Sequence, residues 1–217
     1  MVHILGDGNT ILNRFVAQVR DRNIQTDSMR FRRNLERIGE VMSYEISKHL
    51  KYHSQVVETP LGEVQMKLVS DKVVVASVLR AGLPLQQGVL NYFDDAECAF
   101  VSAYRKNKKD GTFKIDVEYV SCGSLEGKVL ILVDPTLATG QSLRLIYEAL
   151  VAHGGEPMHT HIVSVVASEQ GVDYAMKHLP SKSTTLWLGA VDAELTSKAY
   201  VVPGIGDAGD LCYGKKL

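Results

Sequence analysis

The sequence predicts an α/β fold in which a mainly parallel sheet is covered by helices on both faces. Two apolar, β-branched runs, Val73 to Val78 and Val129 to Val133, have the composition of buried parallel strands. Each run ends in small or polar residues, and a helical pattern then begins. Strands that alternate with helices favour a parallel sheet, because each crossover helix packs back onto it. The 217 residues suit one such domain.

The remaining elements follow from periodicity and from turn residues. The segment 27–50 is predicted to be a helix, because apolar residues recur at helical spacing from Phe31 onward and Asp27 or Ser28 can cap it. Further along the chain the patterns indicate a helix from Pro84 to about Tyr92, a strand from Glu97 to Ala103, a polar hairpin from Tyr104 to Ser121 with an Asp110-Gly111 turn, a helix from about Leu143 to His153, a strand from Ile162 to Ala167, a helix near Val172 to Leu179 and a strand from Thr185 to Leu188.

Residues 129–142 form the strongest functional pattern, with the sequence VLILVDPTLATGQS. Asp134 follows the apolar strand, small and hydroxylated residues come next, and the following helix begins. A strand, a small-residue turn and a helix start leave backbone N–H groups and a positive dipole end around one point, which suits a phosphate. Asp134 can bond the hydroxyls of an attached sugar. The alternative is an ordinary strand-to-helix connection, since the segment has neither a Walker A nor a G-x-G-x-x-G pattern.

Two arginines indicate where a diphosphate would bind. Arg80 follows the other buried strand and precedes Ala81-Gly82, where the backbone can approach a ligand closely. A guanidinium at that place suits a pyrophosphate, which it can bind through two hydrogen bonds. Arg105, after Tyr104, begins the basic hairpin, which is expected to close over the diphosphate and exclude water. The alternatives are a surface arginine at a turn and a solvated hairpin.

The C-terminal tail contains the second strong pattern, AYVVPGIGDAGD at residues 199–210. Small residues follow an apolar run and a proline, so the stretch is not expected to form a helix. Val201 and Ile205 are too apolar for a solvated tail. The pattern favours an ordered turn that presents backbone N–H and C=O groups to a small planar ligand, and the alternative is a floppy end.

These three motifs resemble those of the uracil phosphoribosyltransferases, a branch of the type I phosphoribosyltransferases. The resemblance extends from about residue 14 to 215 and includes the segments around Arg20-Asp21 and Thr59-Pro60-Leu61. It implies one phosphoribosyltransferase domain over residues 1–217, with a core of about 55–190. It also implies a protruding hairpin and a hood formed by the N-terminal segment and residues 190–217. In that family the peptide bond matching Arg80–Ala81 is often cis.

The resemblance also implies the substrates and the residues that bind them. The reaction is the conversion of uracil and 5-phospho-α-D-ribose 1-diphosphate (PRPP) to UMP and diphosphate, with Mg²⁺ bound mainly through PRPP and no metal site of the protein's own. The implied PRPP-binding residues are Arg80, Arg105, Asp134, Pro135, Thr136, Leu137, Ala138, Thr139, Gly140, Gln141, Ser142 and Asp207. Main-chain groups of Val201, Gly206, Asp207 and Ala208 would read uracil, and the implied catalytic residues are Asp134, Arg105 and Asp207.

Some features depart from the family pattern or leave alternatives open. Thr136 replaces the usual Met, Gln141 a Gly, and Leu211 an Arg or Lys. A phosphoribosyltransferase for another base, and a nucleotide-sensing regulator that binds RNA with the same fold, are the two rival functions. Some family members are activated by GTP, so an effector site on the arginine face at residues 30, 33 and 37 is a further hypothesis. His159 and His161 could ligate a metal, but without a third ligand nearby a structural role is preferred.

Charge and cysteine content set the remaining expectations. With 24 basic and 25 acidic residues the net charge is -1, so nothing drives the whole molecule toward nucleic acid or membrane. Three widely spaced cysteines suggest free thiols in a reducing compartment. No signal-peptide pattern and no apolar run of about 20 residues is visible. We therefore expect a cytoplasmic protein, and the family implies a homodimer or a larger homo-oligomer.

Overall fold

A computed structural model describes residues 1–107 and 113–216, with side chains throughout except at 104–107 and 113–116. In chain order its elements are β1 Val2–Ile4, a short 3₁₀ turn Leu5–Asp7, α1 Leu12–Arg20, α2 Ser28–Ser47, β2 Tyr52–Thr59, β3 Gly62–Val69, β4 Val73–Leu79, α3 Gly82–Leu90, β5 Glu97–Asn107, β6 Phe113–Ser121, β7 Val129–Val133, β8 Thr136–Leu137, α4 Gln141–Gly154, β9 His159–Ser168, α5 Glu169–His178, β10 Thr184–Asp192, β11 Glu194–Leu195, β12 Val201–Val202 and α6 Ala208–Tyr213.

The central sheet has the strand order β1-β10-β9-β7-β4-β5-β6, with the short β8 beside β9. Every pairing in it is parallel except that of β5 with β6, which form an antiparallel hairpin. Alternate residues of β4 enter two separate cores. Val73 and Val75 pack with α1, α2 and α3, whereas Val74 and Ala76 pack with α4 and α5. The predicted α/β fold with a mainly parallel sheet and helices on both faces is thus confirmed.

The described residues include elements that the sequence did not indicate. The first residues form β1, which pairs with β10 inside the central sheet, so not all of the N-terminal segment lies in a hood. Helix α1 follows, and β2 and β3 form a second hairpin whose residues are almost all exposed. Three strand residues are too few to show a period, and a hairpin exposed on both faces lacks the alternation of a half-buried strand. The domain boundaries stay a prediction.

Most of the strands and helices are longer than the sequence predicted. Helix α2 begins after Asp27, whose carboxylate accepts a hydrogen bond from the Arg30 N–H at 3.0 Å, as expected for a cap. The tail was expected to be free of helix, and this was wrong beyond Asp207. Helix α6 forms because Asp207 caps it by accepting from Asp210 N at 2.9 Å, while Ala208 and Cys212 are buried.

The polar hairpin is confirmed in its strands. β5 continues to Asn107, four residues beyond the predicted end, and the backbone of Arg105 pairs with that of Ile115. The tip at residues 108–112, with Lys108, Lys109 and the Asp110-Gly111 turn, lies outside the described residues. The side chains of residues 104–107 lie outside them too, so the proposed lid contacts of Arg105 stay a prediction. No helix in the described ranges is long and apolar enough to cross a membrane.

His161 and Trp187 occupy the same face of the neighbouring strands β9 and β10. The Trp187 indole donates a hydrogen bond to Nδ1 of His161 at 3.0 Å, and His3 stacks on Trp187 with ring centroids 4.3 Å apart. Burial lowers the pKa of His161 to about 3. An accepting Nδ1 requires the neutral ring with its proton on Nε2, so the geometry and the low pKa agree. These contacts indicate a structural role for His161.

Because His161 is buried in its neutral form, we predict that the protein becomes less stable as the pH is lowered. Its folded-state pKa of about 3 lies below the ordinary 6.5, so between these values the unfolded chain binds more protons than the folded protein. The free energy of unfolding therefore decreases as the pH falls through this range. We expect this group to lower the free energy of unfolding by about 2 kcal/mol between pH 8 and pH 5.

Urea denaturation of the wild type and of His161→Asn at pH 8 and pH 5 measures this contribution. Asparagine keeps a hydrogen-bond acceptor and does not titrate, so the variant should lose less stability on acidification than the wild type. His178→Asn, at an exposed histidine stacked on Tyr174, is the matched control and should keep the wild-type pH dependence. Equal pH dependence in the wild type and His161→Asn would contradict the assignment.

Candidate active site

The carboxyl ends of β4 and β7 and the C-terminal tail surround two adjoining cavities. The larger has a volume of about 340 Å³ and the smaller about 170 Å³. Four residues line both of them: Ala81, Asp134, Asp207 and Gly209. The place agrees with the rule that ligands of parallel sheets bind beyond the carboxyl ends of the strands. Two regions distant in sequence, near residues 134 and 207, therefore share one cleft.

The predicted phosphate loop lies between β7 and α4. After Asp134, the short β8 pairs with β9, which holds the loop against the sheet edge. Gly140 stands at the start of α4 with φ +77°, and a Cβ there would lie 2.9 Å from the Tyr174 ring. Glycine is needed because it adopts a positive φ without strain and adds no side chain at this close approach. Ser168 Oγ donates to the Ala138 carbonyl at 2.5 Å and fixes the loop from beneath.

The start of α4 gives the loop its anion-binding character. The first backbone N–H groups of a helix have no partner within it, and here they belong to residues that follow Gly140. Gln141 is the first residue of α4, and its side chain is exposed while its N–H approaches Thr139 Oγ1 at 3.4 Å. The departure from glycine at position 141 therefore leaves the helix start intact. Such an N-terminus is well suited to a phosphate.

Asp134 is half-buried at the place where the two cavities meet. Its backbone N–H donates to Val163 O at 3.1 Å and its carbonyl accepts from Ser164 Oγ at 2.7 Å, so its main chain is held by β9. Among the described residues, its carboxylate accepts only a long contact of 3.5 Å from Thr136 N. Burial raises the pKa of Asp134 to about 7, and the Thr136 N–H offsets little of that rise. A carboxyl group with unfilled acceptor sites thus faces the cleft.

Arg80 lines the smaller cavity and contacts the tail. Its Nη2 lies 3.1 Å from Asp210 Oδ1, and its Nη1 donates to Gly214 O at 3.2 Å. The Nε atom is buried and finds no hydrogen-bond partner among the described residues. The cis peptide was expected between Arg80 and Ala81, and this was wrong by one residue, because the cis bond joins Leu79 to Arg80.

The tail makes a compact turn over the cleft. β11 pairs with β12 and brings Tyr200 back toward the cavity, where its hydroxyl donates to Asp207 Oδ2 at 3.3 Å. A second cis bond, Val202–Pro203, and positive φ angles at Gly204 and Gly206 complete the turn. Ala208 then begins α6. The backbone at residues 206–208 therefore lines the cavity beside Asp134, as an ordered turn would.

The structure brings together most of the residues that the sequence indicated. Those lining the larger cavity are Asp134, Thr136, Leu137, Ala138, Thr139, Gly140, Ser142, Gly206, Asp207 and Ala208, while Arg80 lines the smaller. Pro135, Gln141 and Val201 are not among the lining residues in the described part of the chain, and the Arg105 side chain lies outside it. Pro135 lies behind the loop, where its carbonyl accepts from Val165 and Val166 N–H.

Lys198, Tyr200 and Asp210 are among the cleft residues to which the sequence analysis assigned no role. Lys198 and Tyr200 line the larger cavity, and Asp210 pairs with Arg80 at the smaller one. Asp210 follows Asp207 at the spacing of one helical turn, a signal that was unused because no helix was expected there. Leu211 packs against the apolar core, which accounts for an apolar residue in place of the family's charged one.

The cleft also bears on metal binding. Within residues 1–107 and 113–216, no three His, Cys, Asp or Glu side chains come together as a metal site. The larger cavity does present two carboxylates, those of Asp134 and Asp207. Mg²⁺ typically takes one or two carboxylates together with substrate phosphates and waters, so this donor set fits a Mg²⁺ that arrives with a phosphorylated substrate.

Comparisons with known proteins agree with the cleft. The family profile described as uracil phosphoribosyltransferase matches residues 8–215. A uracil phosphoribosyltransferase from Porphyromonas gingivalis is 53% identical over 213 residues, which cover 98% of each chain. One from Methanothermobacter thermautotrophicus is 35% identical over 95% of this chain and 93% of its own. The AQ2163 protein from Aquifex aeolicus superimposes over all of both chains with a TM-score of 0.87 at 25% identity. The chain belongs to the uracil phosphoribosyltransferase family, whose type I phosphoribosyltransferase fold it shares.

Proposed function

We propose that this protein transfers the phosphoribosyl group of PRPP to uracil and forms UMP and diphosphate. The observation that carries the proposal is the shared cleft. A helix N-terminus suited to a phosphate, the carboxyl group of Asp134 and the backbone turn at residues 206–208 all line one cavity, with Arg80 beside them. These are the groups needed for a 5′-phosphate, a ribose, a flat base and a diphosphate. The two curated relatives carry the same activity in their names.

The phosphate loop and Asp134 would hold the phosphoribosyl group. Residues 138–142 cradle the 5′-phosphate through the first N–H groups of α4. Asp134 accepts hydrogen bonds from the ribose hydroxyls, which fill the acceptor sites that the protein leaves free. The C1 centre passes through a state with oxocarbenium character, so catalysis is mostly a matter of orientation and charge stabilisation.

Arg80 and the hairpin would bind the leaving diphosphate. Arg80 contributes a guanidinium whose Nε has no hydrogen-bond partner within residues 1–107 and 113–216, and Arg105 is proposed to approach from the basic hairpin. Mg²⁺ bound with PRPP supplies positive charge that neutralises the leaving group. Asp207, which lines both cavities, lies near both substrates and would complete the oxygen ligands available from the protein.

The base would be selected by main-chain groups of the tail. Uracil offers an N3–H donor beside the O2 and O4 acceptors, whereas cytosine has an acceptor at N3 and an amino group at C4. A backbone carbonyl cannot become a donor, so cytosine would leave buried polar groups unpaired. In this proposal Gly206, Asp207 and Ala208 contact the base directly, and the buried Val201 supports the turn from behind.

Regulation by GTP stays a prediction. On the arginine face of α2, Arg33 is paired with Glu36 and lies 3.8 Å from Glu40. Arg37 donates to Asn34 and its guanidinium lies 5.4 Å from the centre of the Phe15 ring. Neighbouring side chains contact both guanidinium groups. These contacts therefore do not support an effector site on this face.

The first prediction concerns activity. Purified protein with Mg²⁺ should form UMP from uracil and PRPP, and should give no product from cytosine, hypoxanthine or orotate. Asp134→Asn should lower kcat by roughly 10²-fold, because a group that orients the ribose is lost. Chromatographic detection of UMP measures both. Asp173→Asn, at an exposed position on α5, is the matched control with unchanged kcat. Turnover of another base in place of uracil would refute the assignment.

The second prediction concerns the stability of the same variant. The folded-state pKa of Asp134, about 7, exceeds the ordinary 3.8, so between these values the folded protein binds more protons and the residue's contribution to stability declines as pH rises. Asparagine does not titrate. Asp134→Asn should therefore gain stability relative to the wild type between pH 4 and pH 8, by up to about 4 kcal/mol.

Urea unfolding at the two pH values gives this difference directly. Asp173→Asn should show a difference from the wild type that does not change with pH, because its side chain is exposed. A pH-independent difference for Asp134→Asn would mean that the carboxyl group titrates normally. A loss of turnover together with a gain in stability would identify Asp134 as a group retained for function.

The third prediction concerns oligomeric state, for which we propose a homodimer. The β2–β3 hairpin exposes Val64, Met66 and Leu68, which alternate along β3 and so share one face. Substituting Val64→Lys and Met66→Lys together should convert a dimer to a monomer in sedimentation velocity. Gln65→Lys, on the opposite face of the same strand, is the control and should stay dimeric. A monomeric wild-type protein would contradict the proposal.

A further inference from the structure

One ion pair holds the middle of the C-terminal turn. Arg20 Nη1 and Nη2 each lie 2.9 Å from a different carboxylate oxygen of Asp192, in a bidentate arrangement. Both partners also bond Gly204. Its carbonyl accepts from Arg20 Nη1 at 3.1 Å, and its N–H donates to Asp192 Oδ2 at 2.9 Å. Two of these four polar contacts therefore hold the two peptide units on either side of the Gly204 Cα atom.

The three elements joined here come from distant parts of the chain. Arg20 is the last residue of α1 and Asp192 is the last residue of β10, so both are presented at the ends of packed elements. Asp192 is only 9% exposed and the Arg20 side chain 23%. A pair so poorly solvated keeps its geometry only when its hydrogen-bonding groups are filled, and the Gly204 peptide groups help to fill them.

Gly204 is the point at which the turn bends. Its φ is +58°, and a Cβ at this position would lie 2.1 Å from the Val201 carbonyl oxygen. The residue follows the cis Val202–Pro203 bond and lies two positions before Gly206. The turn therefore bends at Gly204, and both polar backbone groups at the bend are held by side chains outside the tail.

We propose that Arg20 and Asp192 are positioning residues for the base, and this rests on the proposed function. Neither side chain is among the residues described as lining the two cavities. They act by holding Gly204, which sets the position of the carbonyl and N–H groups at residues 206–208. The phosphate loop is held by β9 and Ser168 and not by the tail, so the pair affects the binding of uracil more strongly than the binding of PRPP.

Steady-state kinetics of Arg20→Lys test whether the pair acts on the binding of uracil or on the binding of PRPP. Lysine keeps the charge but cannot make two parallel bonds to a carboxylate and a third to a carbonyl. We expect KM for uracil to rise about tenfold, while KM for PRPP and kcat at saturating uracil stay within about twofold. Asp192→Asn should show the same division. Arg14→Lys, at an exposed position on the same helix, should be unchanged in all three constants.

Hydrogen exchange gives a readout that needs no catalysis. The Gly204 amide should be protected in the wild type and should exchange faster in folded Arg20→Lys. A folded variant with wild-type KM for uracil, or with equal rises in both KM values, overturns the proposal. If neither variant folds, rapid exchange of the wild-type Gly204 amide overturns it. Wild-type protein that forms no UMP refutes the proposed function separately, since it leaves the Gly204 protection measurable.

Discussion

Burial of a parallel sheet on both faces is the constraint on which the rest of the structure depends. β7 has five consecutive buried residues, and Asp134 is the first position after them that can hold a polar side chain facing a cleft. β4 is buried in the same way before Arg80. Because the strands are parallel and paired in register, both polar residues emerge at one edge. The polar side chains are concentrated at that edge because the buried strands themselves are occupied by apolar residues.

The edge of the sheet is completed by a segment that the sheet does not contain. The tail is held over it by the burial of Val201, Ile205 and Cys212 in the apolar core and by polar contacts with distant partners, among them those of Arg80 with Asp210 and of Arg20 with Asp192. Asp207 also starts the last helix, so the residue proposed to contact both substrates is the one that orders the tail locally. The cleft thus depends on ion pairs in addition to the apolar packing that holds the body of the fold.

Electrostatics at Asp134 show how this arrangement favours function over stability. The residue is half-buried, its carboxylate accepts a single long hydrogen bond from the part of the chain that the structure describes, and burial raises its pKa to about 7. Burying an asparagine or an apolar residue at this position would cost less free energy than burying a carboxylate. Hydroxyl groups of a bound ribose would fill the acceptor sites that the fold leaves open, and so would favour the ionised form when substrate is present. The group is poised for a ligand.

Local chemistry in the sequence determined much of the site. A buried strand followed by Asp134 and a small-residue turn predicts a phosphate loop from residues that are adjacent in the chain, and the same holds for Arg80 after β4. The resemblance to a family added the base turn at residues 206–208. What the sequence could not indicate are long-range or context-dependent features: β1, the helix α6, the position of the cis bond and the partners Asp210, Arg20 and Asp192.

The physical reason is the number of chain positions that separate the interacting residues. Strand burial, helix caps and turn residues act over a few positions, so a pattern in the chain records them. The pairing of Arg20 with Asp192 spans 172 positions and exists only because α1 and β10 end at the same place in the packed molecule. Likewise β1 is a strand because β10 offers it an edge, and α6 is a helix because the core buries one of its faces. The sequence by itself determined which groups do the chemistry, and the tertiary structure decided which residues hold them in place.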